Sequence, residues 1–287
     1  MLAQFDHKVL ESFILWLSNK LEVNQAYKNV DSQFKYVDFD DIPTGYVGFQ
    51  SEFRQIVADS TITGALTGIT IGGTGVVANP ASGVLFDYNN GRVILSDSYG
   101  TGAVITANLP VREMNIYKST EDEEQSIMSY DFKEKNGRQF IYSNEDDLDN
   151  KIYALPACFV TLVDSDNQEH AFGGEELTRQ RIRVSILSSD DYLLDGVMSM
   201  LRDSTREIIQ LVPSEDFPFK FSFTLKSYPY SYNSLIASID PAEKQCAWID
   251  MVKPSKITKE KITSSLADTH KIGFVEMDIV TSRFPRV

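Results

Sequence analysis

The chain has 287 residues, 42% of them apolar, and its 27 basic against 41 acidic residues leave a net charge of −14. That length buries a core large enough for one large domain or two modest ones, and the acidity argues against sequence-specific nucleic-acid binding, which needs a basic surface to neutralise phosphates. No window of about 18 apolar residues is present to span a membrane, and Asp6, His7, Lys8 and Glu11 interrupt any signal-peptide core. The two cysteines, Cys158 and Cys246, make neither a disulfide framework nor a CxxC pair. Each falls in a predicted strand, where a reduced thiol behaves as a small buried apolar group.

Residues 3–22 are predicted to form the first helix. Val9, Phe13, Leu17 and Leu21 recur every four residues, flanked by Leu10 and Ile14, and Asp6 suits the positive end of its dipole. Residues 42–118 hold 11 of the 16 glycines. Short apolar runs between turn signals predict a small β-sandwich or barrel, and Asn89-Asn90-Gly91 predicts a hairpin between runs at 85–86 and 93–95. The run ITIGGTG lacks the lysine and following helix of a phosphate loop and reads as a turn. Residues 119–150 carry ten carboxylates against three basic residues and read as a solvated acidic linker, with one hairpin around Asn136-Gly137.

The stretch 155–213 organises the remainder. It reads as a strand at 157–163, a polar turn holding Asp164, Asp166 and His170, and a second strand where Ile182, Val184 and Ile186 alternate with Arg181, Arg183 and Ser185. Ser188, Ser189, Asp190 and Asp191 then offer capping oxygens to a long amphipathic helix with Leu194, Val197, Leu201, Ile208 and Val212 on one face. Three further strands follow, at 219–225 with Phe219, Phe221, Phe223 and Leu225 inward, at 247–252, and at 273–281. The predicted fold class is α+β: an antiparallel sheet with an N-terminal and a central amphipathic helix, plus an inserted Gly-rich β-sandwich or barrel module. The segments are 1–41 (helix), 42–118 (inserted domain), 119–150 (acidic linker) and 151–287 (α+β domain).

Chemistry-bearing patterns are sparse. His7, His170 and His270 have no partners at metal-ligand spacing, and HEAFGG is not HExxH. Asp164-Ser165-Asp166-Asn167-Gln168 opens like a calcium loop but lacks the glycine at its sixth position. Neither Trp16 nor Trp248 reads as an exposed sugar platform, since both sit in predicted core stripes. The expectation is therefore no catalytic residue, no cofactor, no metal and no enzyme.

LPACFVTLVDSDNQEHAFGGEELTRQRIRVSIL followed by DDYLLDGVMSMLRDSTREIIQLV resembles the tail-terminator and neck proteins of tailed bacteriophages. GVLFDYNNGRVILSD with ITANLPVREMNIYKS resembles a β-domain of phage virion structural proteins. The resemblance implies a homohexameric ring at the head–tail junction that ends tail-tube growth and joins tail to neck. Its partners would be other copies and the neighbouring neck, tail-tube and sheath proteins. DNA would pass through the channel without specific binding, and the protein would reside in the virion after assembly in the host cytoplasm. The alternatives are a baseplate or sheath-initiating adaptor ring and, from another class, a hydrolase or carbohydrate-binding module. Within the hairpin, Gly173 and Gly174 permit a sharp reversal, and Glu175 and Glu176 project from it. Arg179, Arg181 and Arg183 on the adjacent strand complete the candidate oligomer interface.

Overall fold

A computed structural model describes residues 5–38, 42, 44–53, 55–62, 68–77, 83–127, 132–135, 138–142, 152–171, 174–218, 230–257 and 271–283. Chain order runs α1 (Phe5–Val23), β1 (Tyr27–Tyr36), β2 (Tyr46–Gln50), β3 (Gly68–Ile71), β4 (Thr74–Val77), β5 (Val84–Asp87), β6 (Arg92–Ser96), β7 (Ile105–Arg112), β8 (Asn115–Ser119), α2 (Glu121–Ile127) and β9 (Phe132–Lys135). It continues with β10 (Arg138–Tyr142), β11 (Ile152–Ala154), β12 (Ala157–Ala171), β13 (Glu175–Ser188), α3 (Asp191–Asp203), β14 (Ile208–Leu211), α4 (Tyr232–Ala237), β15 (Gln245–Lys256) and β16 (Lys271–Arg283). The fold is α+β, mostly strands, with curled antiparallel sheets and a few helices. It divides into two compact units. The hairpin unit takes Met1–Ser18, Met114–Ser214 and Ile239–Val287, and the glycine-rich unit takes Asn19–Glu113 and Glu215–Ser238.

In the glycine-rich unit seven strands follow the order β4-β3-β7-β1-β2-β6-β5. β1 joins the two halves, pairing with β7 along most of its length and with β2 at Lys35 and Tyr36. The sheet curls about Phe34, Phe49, Phe86, Val93, Leu95, Ile105 and Leu109, all buried in one cluster. This sheet begins at Tyr27, well before residue 42. In β1 the outward side chains Asn29, Asp31, Gln33 and Lys35 are polar, so its alternation is carried by few apolar positions and reads poorly in the sequence. The ITIGGTG run is a turn: Gly72 and Gly73 (φ 56° and 87°) reverse the chain between Ile71 and Thr74, a conformation that a side chain would strain. The Asn89-Asn90-Gly91 hairpin also forms, with the Asp87 carboxylate accepting from the Asn90 amide at 3.1 Å.

In the hairpin unit six strands follow the order β14-β15-β16-β13-β12-β8. All pairs are antiparallel except β8 with β12. From Val9 to Ser18 α1 is buried on every side, so it is more than the one-sided amphipathic helix that its spacing predicts. Its buried polar groups are satisfied: Lys118 Nζ reaches Glu11 at 2.5 Å, and Ser12 Oγ donates to the Lys8 carbonyl and accepts from the Val212 amide. α3 begins as expected, with the Asp190 carboxylate accepting from the Tyr192 amide, but it ends at Asp203. Ser204 and Thr205 hydroxyls cap the last turn and Arg206 takes φ 71°, so Ile208 falls on β14, outside the predicted helical stripe. Leu194 and Met198 of α3 lie over Gly273, where a Cβ would stand 2.9 Å and 2.7 Å from their side chains. Only glycine fits beneath that helix without displacing one of them.

Four more expectations are corrected. The acidic stretch 119–150 is not plain linker. Thr120 and Glu123 form a reciprocal capping box for α2; the hairpin expected within the stretch does form, with Arg138 of β10 opposite Lys135 of β9, and it belongs to a three-stranded sheet with β11. Asp164, Asp166 and His170 lie along β12 rather than on a turn, because β13 supplies ladder partners as far as Ala171. Cys246 sits in β15 but is exposed, whereas Cys158 is buried and its thiol is pushed up by burial. Trp248 is only half-buried. The predicted strand at 219–225 and His270 lie outside the described residues.

Candidate functional site

The candidate interface residues occupy the distal half of the β12–β13 hairpin. Gly173 lies outside the described residues. Gly174 (φ 84°) leads into β13, where Glu175 pairs with Ala171 and Glu176 with Glu169. The Glu175 carboxylate accepts from the Ser282 hydroxyl on β16. Alternation along β13 then puts Arg179, Arg181 and Arg183 on one face, about 7 Å apart, and Thr178, Gln180 and Ile182 on the other.

The three arginines find carboxylates within their own unit. Arg179 meets Asp250 at 3.4 Å. Arg181 lies between Asp164 on β12 (3.3 Å) and Asp278 on β16 (3.2 Å). Arg183 meets Glu276 at 3.2 Å and Glu124 of α2 at 3.4 Å. Cross-strand opposition of this kind follows from register: Arg181 faces Asp278, and Arg183 faces Glu276. The hydrogen bond to Asp278, followed by the charge of Asp164, raises the Arg181 pKa above its ordinary value, so this guanidinium stays charged at any working pH. Glu124 also accepts from the Ser185 hydroxyl, which ties the acidic helix α2 to the sheet. Within this chain the arginines form a ladder with acids of their own unit.

Glu124, Glu276 and Asp278 were not among the sequence candidates. Their signal was present as the alternation of Glu276 and Asp278 with Val275, Met277 and Ile279, the negative counterpart of the arginine alternation on β13. What was missing was the register that sets one against the other.

On the opposite face a second polar group surrounds the start of α1. Asp6 accepts from Gln180 Nε2 at 2.5 Å and from Ser165 Oγ at 3.0 Å, Thr178 bridges Arg283 and Asn167, and the Arg283 guanidinium lies 4.4 Å over the Phe5 ring. These bonds hold the helix start against the hairpin. Among the described residues no group of three or more His, Cys, Asp or Glu side chains is placed to hold a metal ion, and no helix is long and apolar enough to cross a membrane.

The glycine-rich unit carries a shallow groove of about 460 Å³ lined by Asp31, Ser32, Gln33, Thr70, Thr106, Ala107 and Asn108. Its polar rim is tied internally by the Asn108 amide donating to Asp31 at 2.9 Å. The described residues thus define a two-unit α+β protein with a charged hairpin face. No known protein-family model and no curated protein matches this sequence.

Proposed function

We propose that the chain is a structural virion protein of a tailed bacteriophage, a ring subunit at the head–tail junction that closes the tail tube and leaves a channel for DNA. The observation that carries the reading is the element order of the hairpin unit. A leading helix, a long hairpin, a helix and closing strands build one sheet, in the order that the resemblance implies. The glycine-rich unit is then the inserted β-sandwich or barrel module, facing neighbouring neck, tube or sheath proteins. Six copies are the natural ring, and the net charge of −14 keeps such a channel from holding the DNA that passes.

The test is the mass of the purified chain by sedimentation, with negative-stain microscopy of the same sample. Rings with a central hole are expected. A monomer at every concentration would overturn the reading.

A further inference from the structure

We infer that two copies of the chain meet across a two-fold axis on the outward face of α3, the Tyr192 ring of each lying over Gly196 of the other. This contact goes beyond the ring reading, because it pairs two subunits and needs no ring to do so.

α3 turns Leu194, Val197, Met198 and Leu201 into its own unit. At about 100° per residue, Tyr192, Gly196, Ser199 and Asp203 then lie along the middle of the opposite face. Tyr192 is 87% exposed, and tyrosine is a side chain that carries much of the energy of an interface once covered. Gly196, one turn further on, weakens the helix relative to alanine, because glycine gives up the most backbone freedom on folding. Packing within the unit does not require it. A Cβ at Gly196 would meet no heavy atom within 4 Å among the described residues, whereas one at Gly273 would meet Met198 and Leu194. The bare backbone at Gly196 is therefore a hollow open to the outside, beside an uncovered ring.

Ring and hollow are self-complementary. A two-fold axis perpendicular to α3 at the level of Leu194 carries position 192 of one copy to position 196 of the other, and the reverse, so both rings seat at once. The two helices run antiparallel, and glycine lets them approach closely.

Charge fits the same arrangement. Asp191, Asp195 and Arg202 share one flank of α3, and the two-fold axis sets that flank beside its own copy. Arg202 bonds its neighbour Asp203 through Nε at 3.1 Å, which leaves the two ends of the guanidinium fork to donate elsewhere. Helical side chains lean toward the N-terminus, so that fork falls near the level of Asp191 of the second copy. Asp191 holds Lys271 through Oδ2 at 3.2 Å and offers its other oxygen. The two Asp195 side chains stand nearest the axis, about 3 Å apart in level, and each is neutralised by its own Lys256. The arrangement thus brings acid to arginine and leaves no bare acids facing each other.

Filling the hollow separates contact from fold. In the full chain, Gly196→Gln should raise the dissociation constant of the pair about tenfold or more, read by sedimentation velocity, while the melting temperature holds or rises. Tyr192→Ala should weaken association by a similar factor and leave the melting temperature unchanged. Independently, in a Cys246→Ser background, Asp195→Cys should be joined to a dimer by a bismaleimide on a denaturing gel. Asp203→Cys, exposed on the same helix but about 27 Å from its mate in level, should not. Rings whose mass ignores Gly196→Gln and Tyr192→Ala, with Asp195→Cys linked no better than Asp203→Cys, would overturn the α3 contact and leave the ring reading intact. Pairs that respond as expected but never build rings would support the contact and overturn the ring reading. A chain that stays monomeric at every concentration would overturn both.

Discussion

Ion pairs at two depths separate the Arg112 site of the glycine-rich unit from the open end of the arginine ladder in the hairpin unit. In the glycine-rich unit Arg112 and Glu22 are each only 6% exposed in their side chains, bonded at 2.8 Å, with the Gln55 side chain taking another guanidinium proton. In the hairpin unit the arginine ladder runs from the buried acids Glu124 and Asp278 to an open end, where Arg179 and its partner Asp250 are both exposed. Burial decides what each arrangement does. A buried pair contributes little net stability, yet losing one partner strands the other in a medium of low dielectric. An exposed pair exchanges with water at almost no cost. The first locks the end of α1 to β7, and the second lies in water at the sheet surface.

Substitutions that break this contrast fall in a clear order. Glu22→Ala should cost about 3–5 kcal/mol, because it leaves the buried Arg112 charge without its carboxylate; chemical denaturation would show it. A loss below about 1 kcal/mol would place Arg112 in water and erase the distinction between the units.

A second buried group sharpens it by pH. The Tyr88 hydroxyl has no hydrogen-bond partner among the described residues, and burial pushes its pKa up from 10.0 to about 12. Below pH 10 the phenol is protonated both folded and unfolded, so its contribution is fully present. Between about pH 10 and 12 the unfolded chain loses the proton first, so stability falls by about 1.4 kcal/mol per pH unit, or about 2–3 kcal/mol in all. Tyr88→Phe should remove that part of the alkaline loss and leave neutral stability equal or higher, since it deletes an unsatisfied hydroxyl. Thermal melts of both proteins from pH 8 to 12 check it; parallel pH profiles would contradict the burial.

Gly273→Ala probes the apolar side of the hairpin unit. The new methyl meets Met198 and Leu194, and the cost should be about 1–3 kcal/mol. Met198→Ala in the same chain should relieve part of it, a coupling that a double-mutant cycle measures. The smallest effect belongs to the exposed end of the ladder. Arg179→Ala should change stability by less than about 1 kcal/mol, and a loss as large as that of Glu22→Ala would mean the ladder is a lock as well.

How much of this was legible in the residues depends on whether the forces are local. Asp190 as a helix cap, the Gly72-Gly73 turn and the Asn89-Asn90-Gly91 hairpin depend on backbone freedom and on oxygens within a few residues, and each formed where its residues predicted. The hydrophobic alternation of Ile182, Val184 and Ile186 likewise named a strand and its inward face. Ile208 was misplaced because helical spacing persists in a sequence after Ser204, Thr205 and a left-handed Arg206 have ended the helix. β1 went unread because its outward side chains are polar and its burial comes from the curl of a sheet whose other strands lie up to 85 residues away, at Arg112.

The sequence by itself determined the α+β class, the Gly72-Gly73 and Asn89-Asn90-Gly91 turns, the Asp190 cap, and the presence of three arginines at alternate positions on a strand. Tertiary structure alone decided what those arginines face. Asp278, Glu276, Asp250 and Glu124 reach them through registers between strands and helices tens of residues apart, and no periodicity within one segment encodes a register with another.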